Sequence, residues 1–195
     1  MRPYHLAALA VFVATLLSAA PADARGYLLL VGGGAEGADG DTASWSYAPY
    51  SWFVERSAGA GPNGGNGRIA IVDTEPYAEC GVANRGYCAY FESLGAVEAV
   101  ALHVSRACQG APGCLDADDP ATYDAVRAFD GVWFRGGDQS AYVDAWGDSE
   151  FERGVLSIHT EDGVLGGTSA GAMILSAVTS AGDATSYEAT ADPFH

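Results

Sequence analysis

The chain is poor in positive charge. Nine Lys and Arg residues face 25 Asp and Glu residues, for a formal net charge of −16 over 195 residues. That balance excludes a general nucleic-acid binder, whose affinity rests on neutralising phosphates, and it disfavours docking on anionic membranes. Long apolar runs are missing too. The longest, Leu6 to Leu17, has 12 residues, short of the roughly 20 needed to span a bilayer. Cysteine stops at Cys114, so no later motif can use a thiol nucleophile. Histidine is limited to His5, His103, His159 and His195, which leaves few candidates for a general base.

What is present begins with an export pattern. Arg2 precedes the short apolar run, and Ala22-Asp23-Ala24 follows it with small residues where a signal peptidase reads. Residues 1–24 are therefore expected to be a secretory signal, with cleavage after Ala24. No cysteine lies near that site, which argues against a lipoprotein. Residues 25–195 are long enough for one domain with a single hydrophobic core. In an oxidising compartment the four cysteines are expected as disulfides. Three pairings are open, and closeness in sequence favours Cys80–Cys88 and Cys108–Cys114. No histidine sits beside either pair and the spacing suits no metal, so no metal site is expected.

Apolar runs bounded by glycine read as strands at Gly26–Val31, Arg68–Asp73, Val97–Val104, Gly131–Phe134 and Gly163–Leu165. Helical patterns cover Tyr87–Leu94, Pro120–Phe129, Ala141–Trp146 and Phe151–His159, with Asp119 as a plausible N-cap and Pro120 in the first turn. The stretch Ala35–Gly67 is glycine-rich and polar, and reads as a long packed loop with one helical turn around its aromatics. Alternating strands and helices predict an α/β fold, an open, mostly parallel sheet covered on both faces in three layers. Ligands of such sheets bind at the carboxyl ends of the strands. Gly32–Gly34, Asp73-Thr74, Arg135–Gln139 and Gly167–Gly171 all follow strands and are expected to converge there.

Two glycine clusters compete for a functional reading. Gly32-x-Gly34-x-x-Gly37 has the form of a dinucleotide fingerprint. That mechanism needs a helix to begin at once, and an acidic residue about 20 positions on. Neither is visible, since the next acidic strand end, Asp73, comes 41 positions after Gly32. A tight turn is expected instead, and no cofactor. Gly167-Thr168-Ser169-Ala170-Gly171 matches G-x-S-x-G after a strand. A serine on a sharp strand-to-helix turn needs small neighbours, because the backbone there is strained and crowded. Its Oγ then stands clear of the sheet, and the Ala170 amide, helped by the dipole of the helix expected over Ala170–Leu175, can stabilise an oxyanion. In Arg135-Gly136-Gly137-Asp138-Gln139, the glycine pair can present a second such amide, and Gln139 can orient a substrate amide.

Leu30–Gly34, Phe134–Gln139 and Gly166–Ala172 together resemble the cyanophycinase and peptidase E family of serine peptidases, most closely its cyanophycinase branch. The resemblance spans about Tyr27 to Tyr187. It implies a fold like that of class I glutamine amidotransferase domains, with flavodoxin-like topology, and cleavage of a peptide or β-aspartyl isopeptide bond. Ser169 would be the nucleophile and Gln139 the glutamine beside it. Gly136, Gly137 and Ala170 would supply the oxyanion hole, with Gly33, Gly34, Arg135 and Asp138 on the substrate loops. The expected partner is a peptide or β-aspartyl peptide, with no nucleic acid and no membrane after signal cleavage, and a homodimer is left open.

The triad partners are the weak point. A serine needs a base within hydrogen-bond reach. His103 reads as core or rim, and His159 as a helix C-terminal residue. His195, 26 positions after Ser169, falls short of where the family places its histidine, and Asp183 matches the acid of the peptidase E branch only loosely. No closing strand or helix is visible in 181–195, so the domain is expected to be incomplete at its C-terminal end. The readings are thus an exported serine hydrolase, or a truncated or binding-only member that kept the elbow without its base. The acidic loop Asp116–Asp119 reads as solvated surface, with arginine-bearing substrates or calcium as alternatives.

Overall fold

The computed structural model describes residues 26–34, 36–81, 86–108 and 110–176. The expected signal segment 1–24, with His5, Asp183 and His195, lies outside them.

Among the described residues six strands form one sheet: β1 (Tyr27–Val31), β2 (Arg68–Asp73), β3 (Glu98–Val104), β4 (Cys114–Leu115), β5 (Gly131–Phe134) and β6 (Val164–Thr168). Their spatial order is β1-β6-β5-β2-β3-β4, and every pairing is parallel. Side chains alternate across the sheet with period two. Ile69 and Ile71 of β2 therefore join one core, while Ala70 and Val72 join the other. The first core packs α1 (Tyr47–Gly59) and α2 (Gly86–Ser93) on the sheet through Tyr50, Phe53, Phe91 and Trp133. The second packs α3 (Pro120–Val126), α4 (Gln139–Trp146), α5 (Glu150–Thr160) and α6 (Ala170–Met173) through Val126, Phe134, Trp146 and Ile158. This is the three-layer α/β fold, with a sheet that is parallel throughout. Among the described residues no helix is long and apolar enough to cross a membrane.

One expectation is overturned. The stretch read as a loop contains the 13-residue helix α1. Its buried residues are Tyr50, Phe53, Val54 and Ser57, at the i, i+3, i+4, i+7 spacing of one helical face. Pro49 falls in the first turn, where a missing N–H costs nothing. The face stands out from its polar and glycine surroundings only once it has a sheet to pack on. The two-residue strand β4, paired with the end of β3, is also beyond the expected set.

Several local expectations hold. Asp119 caps α3 by accepting from the Ala121 N–H at 2.9 Å, which satisfies one of the donors a helix start leaves open. The disulfides are Cys80–Cys88 and Cys108–Cys114, with Cα atoms 5.0 and 5.5 Å apart.

Candidate active site

In a parallel sheet all carboxyl ends lie along one edge. Because β6 runs between β1 and β5, the turn after β6 is flanked by the turns after those two strands. Ser169 is that turn. Its N–H donates to the Val31 carbonyl at 2.9 Å, extending the β1–β6 ladder by one rung. Its carbonyl accepts from Ala172 and Met173 at 3.0 and 3.1 Å, which starts α6. The backbone reverses at Ser169 with φ 52° and ψ −121°. Among the described residues only two other non-glycine residues have positive φ, Asp148 and Asp162, and Asp tolerates such a turn better than most residues. A serine held this way costs on the order of 1–3 kcal/mol, and such strain clusters at functional sites. The side chain is also exposed, whereas every residue from Gly163 to Thr168 and both Ala170 and Gly171 are buried.

The two flanking turns approach this serine closely. A Cβ built on Gly33 would lie 3.6 Å from the Ser169 Cβ, and one on Gly136 would lie 3.3 Å away. Gly33 and Gly34 have φ of 108° and 126°, which side chains rarely adopt. Those glycines thus serve a turn that touches Ser169, and no helix begins at them, so the dinucleotide form has no physical counterpart here. At Gly171 a Cβ would collide with the Phe134 and Arg135 carbonyls. The absence of a side chain at Gly171 lets the β5 turn lie against the elbow, while a Cβ on Gly167 would collide with the Gly171 carbonyl within the elbow itself.

The β5 turn has its own supports. Arg135 forms an ion pair with Asp73 at the end of β2, and its guanidinium lies 3.8 Å from the centroid of the Tyr77 ring. Asp138 caps α4, accepting from the Ser140 and Ala141 N–H groups at 2.8 and 3.4 Å, so its carboxylate is committed to the helix start. Gln139 is the first residue of α4 and half-buried. The Tyr142 hydroxyl donates to the Gly136 carbonyl at 3.3 Å. A trans peptide then aims the Gly137 N–H to the opposite side. Among the described residues, the amides of Gly136, Gly137 and Ala170 donate to no protein acceptor. Burial, followed by the charge of Asp73, pushes the Tyr142 phenol up from its ordinary value.

The histidines are elsewhere. His103 stands on β3, three strand spacings from β6, about 14 Å at the usual 4.8 Å per strand. It lies 3.3 Å from the Cys114 sulfur. His159 ends α5 and packs on Gly26, before β1 begins. That is the opposite edge of the sheet from Ser169, one strand length or about 16 Å away. At those separations neither is within hydrogen-bond reach of Ser169. The acidic loop is also engaged internally. Asp118 binds the Arg106 guanidinium at 3.0 Å, Asp116 accepts from the Asp118 N–H at 3.0 Å, and Asp119 caps α3. No cluster of metal-ligating side chains occurs among the described residues.

The sequence reading missed Glu36. Its carboxylate, in the turn after β1, accepts from the Tyr50 hydroxyl at 3.0 Å and from the Tyr87 hydroxyl. No periodicity marks a contact between residues 51 positions apart. The only hint was the concentration of tyrosines in α1 and α2. An apolar cleft of about 450 Å3 lies on the other face of the sheet, lined by Leu28, Phe134, Tyr142, Trp146, Leu156 and Ile174 among others. Ser169 does not line it, although Ile174 at the end of α6 and Tyr142 beneath the β5 turn do.

No family model matches the chain, and no curated protein matches it. Among solved structures it is similar to a peptidase from an acI-B1 Actinobacterium, with a TM-score of 0.51 and 23% sequence identity. The match covers 80% of this chain and 58% of that one, so the chain spans less than two thirds of the peptidase's length. At that identity the likeness establishes the fold.

Proposed function

We propose that this protein is an exported serine-type peptidase of the cyanophycinase kind, cleaving a peptide or β-aspartyl isopeptide amide through an acyl-enzyme on Ser169. The observation that carries the reading is an exposed serine at positive φ on a strand-to-helix turn, pressed between glycine turns, with the amides of Gly136, Gly137 and Ala170 finding no acceptor among the described residues. The peptidase assignment of the structural neighbour supports the reaction class. Two disulfides support export.

In this reading Ser169 Oγ attacks the carbonyl carbon and a base takes its proton. The Gly137 and Ala170 amides, with Gly136 beside them, receive the charge that develops on the carbonyl oxygen. Collapse expels the amine, which takes the proton back. Water then hydrolyses the ester by the same steps and frees Ser169. Gln139, at the start of α4, would orient the substrate amide. The sequence offers His195 as a base and Asp183 as an acid, both only loose matches to the positions the family uses and both outside the described residues. A second reading, a binding-only member without a base, is favoured by the placement of His103 and His159 away from the elbow.

A fluorophosphonate probe separates the two. The exported protein should be labelled at Ser169, Ser169→Ala should abolish labelling, and β-aspartyl or ordinary dipeptides should be hydrolysed. Labelling that persists in Ser169→Ala removes the nucleophile assignment. Peptide binding without labelling or turnover establishes the binding-only reading.

A further inference from the structure

The turn after β1 is tied to the helical layer by consecutive residues. Glu36 accepts from Tyr50 of α1 and Tyr87 of α2. Gly37 donates its N–H to the Ser46 Oγ at 2.9 Å, and that oxygen lies 2.7 Å from the Tyr90 hydroxyl, also on α2. Glu36 is three residues beyond Gly33, the residue that abuts Ser169. Withdrawing a carboxylate from water is costly unless it is hydrogen-bonded. A space-filling residue would avoid that cost. Two phenols donating to one carboxylate oxygen make directional, charge-assisted bonds, which fix where the turn lies. Tyr87 is anchored in turn. Its neighbour Cys88 is bonded to Cys80, and its N–H donates to the Tyr77 hydroxyl at 3.0 Å. Tyr77 also carries the Arg135 guanidinium on its ring, so the start of α2 reaches both turns that flank the serine.

Building on the reading of Ser169 as nucleophile, we propose that Glu36 is a positioning residue of the elbow. It holds the β1 turn against Ser169 by accepting from Tyr50 and Tyr87, with the Cys80–Cys88 disulfide as the anchor of Tyr87. Glu36 does not touch the reacting atoms. Its effect passes through the turn, and the disulfide makes that effect sensitive to reduction.

The test uses the intact exported chain and two readouts. Hydrogen exchange reports the turn itself. Glu36→Ala, Tyr87→Phe and the double variant Cys80→Ser/Cys88→Ser should each speed exchange of the 32–37 amides by about tenfold, with α3 to α5 unchanged. Cys108→Ser/Cys114→Ser should leave the turn as it is. Probe labelling at Ser169 reports the consequence. The limiting labelling rate should fall by about tenfold or more while the half-saturating probe concentration stays within about twofold, because the site is still built but the serine is misplaced. A merely structural role would leave that split unmoved. Unchanged exchange of the turn in Glu36→Ala overturns the proposal, as does faster exchange with labelling at the wild-type rate. If the wild type itself is not labelled at Ser169, the nucleophile reading falls, and the exchange experiment still decides whether Glu36 fixes the turn.

Discussion

The two turns that flank Ser169 use glycine and charge in different ways. In the β1 turn, Gly33 and Gly34 are needed for their backbone conformation, with φ of 108° and 126°. In the β5 turn, Gly136 and Gly137 have no positive φ and are needed for space, against the Ser169 Cβ and the Tyr142 hydroxyl. The β1 turn is fastened by phenols donating to a carboxylate, and the β5 turn by an ion pair on an aromatic ring and a helix cap. A side chain in the first turn would distort the turn. A side chain in the second would displace the serine. Both arrangements bring backbone close to one exposed hydroxyl, which is what a site stabilising charge with amides requires.

The sharpest break in this comparison comes where the β5 turn lies on the elbow. Gly171→Ala puts a methyl group into the Phe134 and Arg135 carbonyls. Backbone cannot rotate away as a side chain can, so the expected cost is about 3 kcal/mol, the upper end for overpacking. Ser169 labelling should be lost with it. Thermal unfolding and probe labelling of the variant check both. Wild-type stability would mean that the β5 turn does not rest on α6.

A pair of smaller changes separates the two uses of glycine. Gly33→Ala forces a side chain into positive φ and should cost about 1–3 kcal/mol. Gly136→Ala meets Ser169 at 3.3 Å, a tight contact that a shift of a few tenths of an ångström relieves. Its stability should stay within about 0.5 kcal/mol. Its labelling rate should nevertheless fall by about tenfold or more, since misplacement by fractions of an ångström is felt in the chemical step. Urea melts and labelling kinetics on both variants give the two quantities. Equal stability losses at the two positions would erase the distinction.

Most of this frame was legible in the chain. Four of the five expected strands lead into the motifs that the structure gathers at one edge, and Asp119 and both disulfide pairs read correctly, because strands, caps and short-range pairings are written in local pattern. Helix α1 was misread, since its buried face of Tyr50, Phe53, Val54 and Ser57 sits among glycines and polar residues and gains its stability from the sheet. The supports of the site were hidden for a different reason. Glu36 meets Tyr87 across 51 positions and Arg135 meets Asp73 across 62. Such contacts follow from strand order, in which β6 is inserted between β1 and β5, and no local signal specifies that order.

The finest test of the comparison uses alkaline pH. Burial pushes the Tyr50, Tyr87 and Tyr142 phenols up, with Glu36 adding to the first two and Asp73 to the third. Tyr90 shifts the same way, burial again being the main cause. Above about pH 10 the unfolded chain has lost phenolic protons that the native state keeps. Stability is therefore complete below pH 10 and declines as pH rises beyond it, each such tyrosine contributing up to about 1.4 kcal/mol per pH unit to the slope. Tyr87→Phe and Tyr142→Phe should each reduce that slope by about one proton's worth, one on behalf of the β1 turn and the other of the β5 turn. Only Tyr87→Phe should also loosen the 32–37 amides. Urea melts between pH 9 and pH 11.5, with phenolate absorbance as the count of ionised groups, measure the slopes. A Tyr87→Phe slope equal to that of the wild type would mean that Tyr87 ionises freely in the folded protein, and that Glu36 does not depend on its proton.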